Sequence, residues 1–103
     1  MKVYFVRTIN DIDKFGTTGG RTVGYYETLE EAKKCVSENW GDIYEDGYYK
    51  YAVIEGVEPG LYRSSDPDVE PLFYKWVGSK AKGKYRPIKK PRVLKHVVGF
   101  TIG

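Results

Sequence analysis

The sequence has little of the chemistry on which metal sites and nucleophilic enzymes depend. It contains one cysteine, Cys35, and one histidine, His96, in 103 residues. These two residues cannot supply a zinc shell without a further cluster of ligands, and a lone cysteine excludes an internal disulfide framework. The spacing also brings no nucleophile, base and orienting acid together. We therefore expect a non-enzymatic protein with no metal and no cofactor, in a reducing compartment.

Long apolar runs are absent as well. The apolar start, residues 1–7, is too short for a signal peptide, and no window approaches the roughly 18 apolar residues of a membrane span. A chain of 103 residues has room for one domain with a single core. We expect one domain over residues 1–103, located in the cytoplasm and not bound to a membrane.

Acidic residues are missing from the last third of the chain. All 14 Asp and Glu lie in residues 1–70 beside 8 of the 17 Lys and Arg, whereas residues 71–103 hold the other 9 basic residues. Such a division indicates either an anion-binding surface or two surfaces that attract each other, within one molecule or between copies. The second alternative allows a homo-oligomer.

Residues 28–41 carry the signals of a capped amphipathic helix. Thr28 is followed three residues later by Glu31, which is the spacing of a capping box. Apolar residues then recur at steps of three and four, which predicts a buried face, and Gly41 is the type of residue that commonly ends a helix. The predicted face comprises Leu29, Ala32, Val36 and Trp40, with Cys35 and Asn39 beside them.

Residues 48–55 are dense in aromatic and β-branched residues and are apolar on both faces, which is typical of a central strand. Pro87 favours an edge position for a later strand. The pattern predicts an α+β fold, a mainly antiparallel sheet of about five or six strands with one main α-helix packed on one face. The other predicted strands are 2–8, 21–26, 72–77, 84–88 and 97–102, with one helical turn within 89–96.

The hairpin predicted at residues 72–88 combines aromatic rings with positive charge. The chain has ten tyrosines and two tryptophans, and a tyrosine ring suits either stacking on a base or filling a small core. Because Arg and Lys bind phosphates while rings stack on bases, this composition predicts an anionic, nucleotide-like ligand. The predicted ligand-binding residues are Tyr74, Trp76, Lys84, Tyr85, Arg86, Lys89 and Arg92.

Residues 16–22 superficially resemble a phosphate-binding loop. The spacing of a P-loop is missing, however, and the next segment is a predicted strand where a helix start would be needed. Arg21 and Thr22 are instead candidates for a generic flap beside a binding site.

Motifs spread over the chain resemble those of known proteins. They lie at residues 24–32 and 39–55, at Tyr74-Lys75-Trp76, and at the Phe-x-Ile-Gly end. With them, residues 20–103 are similar to a family of small uncharacterised proteins of bacteria and their phages. Small phage proteins of this size often antagonise host defence by binding a host protein or by sequestering a nucleotide signal. The resemblance implies such a counter-defence role and assigns no residue a function.

Three functions therefore stand as hypotheses. The leading one is a small binding protein that sequesters an anionic, nucleotide-like ligand. The alternative is a protein–protein interaction module, in which the acidic turn at residues 42–46 or the basic hairpin docks on a host protein. Direct binding of nucleic acid is the third, and it predicts an affinity that falls steeply as salt rises.

Overall fold

The computed structural model describes residues 2–10, 20–57 and 71–89. Across them, five strands form one antiparallel sheet and one α-helix packs against it, which confirms the predicted α+β fold. The strand predicted at 97–102 and most of the helical turn predicted within 89–96 lie outside the described residues. The elements are strands β1 (Val3–Ile9), β2 (Gly20–Tyr26), β3 (Tyr51–Val57), β4 (Leu72–Val77) and β5 (Lys84–Ile88), helix α1 (Leu29–Ser37), and the 3-10 turns Trp40–Asp42 and Glu45–Gly47.

Strand β3 occupies the centre of the sheet, whose order is β2-β1-β3-β4-β5. All seven residues of β3 are buried, which confirms the predicted central strand. The strand begins at Tyr51, however, so its predicted start at residue 48 is wrong. The Tyr49 N–H donates to the Tyr44 carbonyl at 3.1 Å, and this bond within a turn removes the amide from any strand ladder.

Hydrophobic residues form one cluster on each side of the sheet. Successive side chains of a strand point to opposite faces, so Ala52 and Ile54 of β3 lie on the helix side while Tyr51 and Val53 lie on the other. The buried helix-side cluster consists of Val6, Ala32, Cys35, Val36, Ile43, Tyr44, Ala52, Ile54, Tyr74 and Tyr85. The buried cluster on the opposite face consists of Ile9, Tyr51, Val53 and Phe73.

Helix α1 starts as predicted and ends earlier than predicted. The Glu31 N–H donates to the Thr28 hydroxyl at 3.2 Å, and that hydroxyl donates to the Glu31 carboxylate at 3.0 Å. The helix stops at Ser37, so the predicted end at Gly41 is wrong. Asn39 adopts a left-handed φ of 50°, and its side-chain oxygen accepts the Tyr44 N–H at 2.9 Å. This local bond competes with helix continuation, as asparagine side chains often do.

Strands β4 and β5 have the predicted bounds and form the predicted hairpin. Gly78, at φ 104°, opens the connection between them. Strand β5 is the last strand of the described sheet, which confirms the edge position that Pro87 predicted, because proline cannot donate to a further strand. Among the described residues, none of the helices combines the length and the apolar character of a membrane span.

Candidate anion-binding site

The β4–β5 hairpin places three cations on the sheet face opposite the helix. Tyr51, which belongs to the opposite-face cluster, pairs directly with Lys75, and Lys75 pairs directly with Arg86. Directly paired residues share a face, and so do residues two apart on one strand, which places Lys84 beside Arg86. We call Lys75, Lys84 and Arg86 the cation triad.

The positive charge of the cation triad is not neutralised by the described part of the chain. Lys84 and Arg86 are exposed and Lys75 is half-buried. The ion pairs seen among the described residues join Arg7 to Glu55 and Arg21 to Glu45, and none of them includes a triad residue. Like charges directly opposite each other on a sheet are destabilising, so the Lys75–Arg86 pair costs stability unless an anion lies between the two side chains.

Two of the predicted ligand-binding rings lie in the core. Tyr74 is 5% exposed and Tyr85 is 2% exposed, and both belong to the helix-side cluster. The Tyr85 hydroxyl donates to the Tyr49 carbonyl at 2.6 Å. Burial raises the pKa of Tyr85 well above its ordinary value, so the hydroxyl stays a neutral donor. The stacking role predicted for these rings is therefore unavailable, since a base could not reach either ring face.

Trp76 also has a structural position, although it is only half-buried. Its ring stacks on Tyr44 with centroids 3.7 Å apart and an interplanar angle of 6°, and it meets Tyr85 edge-on at 5.1 Å. The indole N–H donates to the Ser79 carbonyl at 3.0 Å in the hairpin connection. One face of the indole is thus covered by Tyr44, and Trp76 holds the hairpin against the segment that precedes β3.

The tip of the hairpin lies against Gly47, which directly follows the acidic turn at residues 42–46. The Lys80 side chain packs on Gly47 so closely that a Cβ at Gly47 would lie 2.7 Å from Lys80 Cε. The backbone N–H of Trp76 donates to the Lys50 carbonyl at 2.9 Å. A lysine of the basic hairpin therefore lies beside the acidic turn, although none of the ion pairs seen among the described residues joins the two segments. The cation triad has no such partner within the described residues.

Four residues in and just before the acidic turn have an unusual backbone conformation. Asn39, Asp42, Glu45 and Asp46 all have a positive φ near 50°. Such conformations cost roughly 1–3 kcal/mol each for most non-glycine residues and persist only where the surrounding structure enforces them. Asparagine and aspartate adopt the left-handed region more readily than most residues, whereas a glutamate such as Glu45 has no such preference.

The two predicted flap residues belong to strand β2. Arg21 pairs with Glu45 at 2.5 Å, and its guanidinium lies 5.1 Å from the centre of the Tyr49 ring. Thr22 is exposed and pairs with Arg7 of β1. Because both residues are held in the sheet ladder, they do not form a flap, and Arg21 ties β2 to the acidic turn. Of the remaining predicted site residues, Lys89 is exposed after β5 and Arg92 lies outside the described residues.

Cys35 has the environment of a core residue. It is buried in the helix-side cluster, and burial raises the pKa of its thiol more than the hydrogen bond with Tyr26 lowers it. That hydrogen bond, together with burial, raises the pKa of Tyr26 to about 12. A thiol of raised pKa is a poor nucleophile near neutrality. In the part of the chain that the structure describes, no three His, Cys, Asp or Glu side chains come together as metal ligands would.

Lys75 belongs to the cation triad, and sequence reasoning did not include it among the candidate site residues. Alternation along β4 places Lys75 on the face opposite Tyr74 and Trp76. Because those two rings were assigned to the site, Lys75 was not. The structure shows the reverse, because the rings face the helix side and Lys75 faces the other cations. The signal that could have found it is the hairpin register, since strands joined at 77 and 84 place residue 75 opposite residue 86.

No family model, curated protein or solved structure matches the chain. The class of protein is therefore defined by its own architecture, an α+β domain in which one helix covers one face of an antiparallel sheet. Its candidate site is the cation triad on the other face.

Proposed function

We propose that this protein is a non-enzymatic binding domain that holds an anionic, nucleotide-like ligand by its phosphate groups, through Lys75, Lys84 and Arg86. The observation that carries the proposal is the direct pairing of Lys75 with Arg86, without a neutralising acid in the described residues. The cellular role that we propose with it is antagonism of host defence, by sequestering such a ligand in the cytoplasm.

The chemistry of the triad suits phosphate better than other small anions. Arginine can form two parallel hydrogen bonds to one phosphate group, and lysine contributes a mobile point charge beside it. A bound phosphate would also remove the repulsion within the Lys75–Arg86 pair, which is worth roughly 0.2–1 kcal/mol. Ligand binding therefore both adds contacts and relieves an unfavourable one.

Thermal unfolding with and without ATP tests the proposal. At 100 times its dissociation constant a ligand stabilises the folded state by about 2.7 kcal/mol. For a domain of this size that corresponds to a rise in Tm of roughly 10–20 °C. The double variant Lys84→Ala with Arg86→Ala should lose this rise.

The matched control removes the same charge elsewhere. Lys33→Ala with Lys34→Ala takes two cations from helix α1 and should keep the full rise in Tm. The proposal fails if ATP leaves the Tm of the natural chain unchanged at millimolar concentration, or if both double variants respond alike.

A protein partner is the second candidate, and it is favoured by the exposed rings around the acidic turn. Tyr48 is 60% exposed and Trp40 is 37% exposed, on either side of Asp42 and Asp46. Tyrosine and tryptophan are common anchors of protein interfaces. This candidate predicts no stabilisation by ATP, and binding of one host protein that is lost on Tyr48→Ala and kept on Lys84→Ala with Arg86→Ala.

A further inference from the structure

We infer that the β4–β5 hairpin binds the phosphate backbone of a nucleic-acid duplex without reading its sequence. The observation that carries this inference is an exposed set of cations along the hairpin, with no acidic residue among them. The inference goes beyond the proposed function, because the hairpin carries as many cations outside the cation triad as within it.

Positive charge is concentrated on the hairpin. Residues 71–89 contain six basic residues and no Asp or Glu, whereas the rest of the described chain contains six basic and eight acidic residues. Five of the six hairpin cations are exposed, and Lys75 is half-buried. Neither ion pair seen among the described residues includes a hairpin cation. The six are Lys75, Lys80, Lys82, Lys84, Arg86 and Lys89.

These cations follow the whole length of the hairpin. Lys75 pairs with Arg86 within the ladder, and Lys84 pairs with Val77 where the ladder ends. Lys80 and Lys82 lie in the connection between the two strands. Because β5 is the last strand of the described sheet, the cations lie along one edge of the molecule, where an extended polyanion can approach.

A duplex backbone suits a surface of this kind. Duplex DNA carries one negative charge for roughly each 1.7 Å of its axis, and cations that bind it release condensed counterions. This gain depends on how many charges meet and does not require each side chain to hold one fixed position. The long, exposed lysine side chains of the hairpin are therefore suited to the backbone.

The hairpin offers a single strand no platform on which to stack its bases. Phe73, Tyr74 and Tyr85 are buried, and one face of Trp76 is covered by Tyr44. Proteins that bind single strands combine cations with aromatic rings on which successive bases stack. Because only the charges are accessible here, the denser charge of a duplex is favoured and the base sequence should matter little.

Fluorescence anisotropy of a labelled random duplex, titrated with the full chain, tests the inference. The logarithm of the affinity should fall linearly with the logarithm of the salt concentration, with a slope no steeper than about −5, the limit for six cations. Duplexes rich in A·T and in G·C should bind alike within about threefold, and a single strand of equal length should bind more weakly.

Substitutions should change the slope in steps. Lys82→Ala should make it shallower by about 0.9, and Lys84→Ala with Arg86→Ala by about twice as much. Lys82→Arg keeps the charge and should keep both slope and affinity. The control Lys33→Ala with Lys34→Ala removes two cations from helix α1 and should leave the slope unchanged.

Each failure has a separate meaning. A duplex that does not bind, an affinity independent of salt, an unchanged slope in Lys82→Ala, or tighter binding of the single strand overturns the inference. Lys82 lies outside the triad, so Lys82→Ala should keep the rise in Tm with ATP. If ATP gives no rise while the duplex results hold, the proposed function alone fails. If ATP stabilises the chain and the duplex does not bind, this inference alone fails.

Discussion

Replacing Tyr85 by phenylalanine separates the structural role of this ring from the binding role that its sequence context predicts. The substitution keeps the buried ring and deletes only the hydroxyl that donates to the Tyr49 carbonyl at 2.6 Å. Tyr85 is 2% exposed, so water does not readily replace the lost donor. A buried acceptor left without a partner costs about 1–3 kcal/mol.

The expected loss is thus about 1–3 kcal/mol in the free energy of unfolding, or about 4–8 °C in Tm for each kcal/mol. Urea denaturation monitored by circular dichroism measures it, provided the slope with denaturant stays constant. The matched control is Tyr25→Phe, because Tyr25 is 63% exposed and its hydroxyl should be worth less than about 0.5 kcal/mol.

The same variant should leave ligand binding intact. Tyr85 faces the helix side, whereas Lys84 and Arg86 face the other side, so the dissociation constant for ATP should change less than about threefold. The reasoning is refuted if Tyr85→Phe keeps its stability and loses ligand binding, since the hydroxyl would then be part of the site and not of the core.

Three further predictions concern stability. Asp46→Gly should raise the free energy of unfolding by about 1–2 kcal/mol, because residue 46 has a φ of 50°, which glycine adopts without strain. Asp46→Ala removes the same charge and should not give this gain. Equal effects of the two variants in urea denaturation would show that the gain comes from removing the charge. Thr28→Ala should cost about 0.5–2 kcal/mol by removing the helix cap, and Thr28→Ser should restore most of it in the same assay. Because the pKa of Tyr26 is raised from 10.0 to about 12 in the folded state, its neutral hydroxyl stabilises the fold fully below pH 10, and this contribution is lost as the pH rises toward about 12. The urea midpoint should therefore fall over that pH range, and it should fall less in Tyr26→Phe.

Elements whose signals are local were predictable from the sequence. The start of helix α1 follows from Thr28 and Glu31, and the bounds of β4 and β5 follow from residue alternation on either side of a glycine-bounded connection. Pro87 predicted an edge position for β5, because no tertiary contact can replace the backbone N–H that proline lacks.

The sequence-based predictions differ from the structure in two situations. In one, a side chain forms a hydrogen bond with the backbone, and in the other an aromatic ring is suited both to the core and to a binding site. Asn39 ends the helix through its bond to the Tyr44 N–H, and residue type alone favoured Gly41. Alternation correctly placed Tyr74 and Trp76 on one face. It could not tell which face the helix covers, because that depends on how distant segments pack, and so the candidate site combined the rings with Lys84 and Arg86 and left out Lys75.

The stack of Trp76 on Tyr44 gives the molecule a built-in optical reporter. Tryptophan emission responds to its surroundings, and this indole joins the cation-bearing hairpin to the acidic turn through parallel rings 3.7 Å apart. The sequence has only one other tryptophan, the exposed Trp40, so Trp40→Phe would leave a single emitter. Any displacement of the hairpin, by a ligand or by denaturant, could then be followed without an attached label.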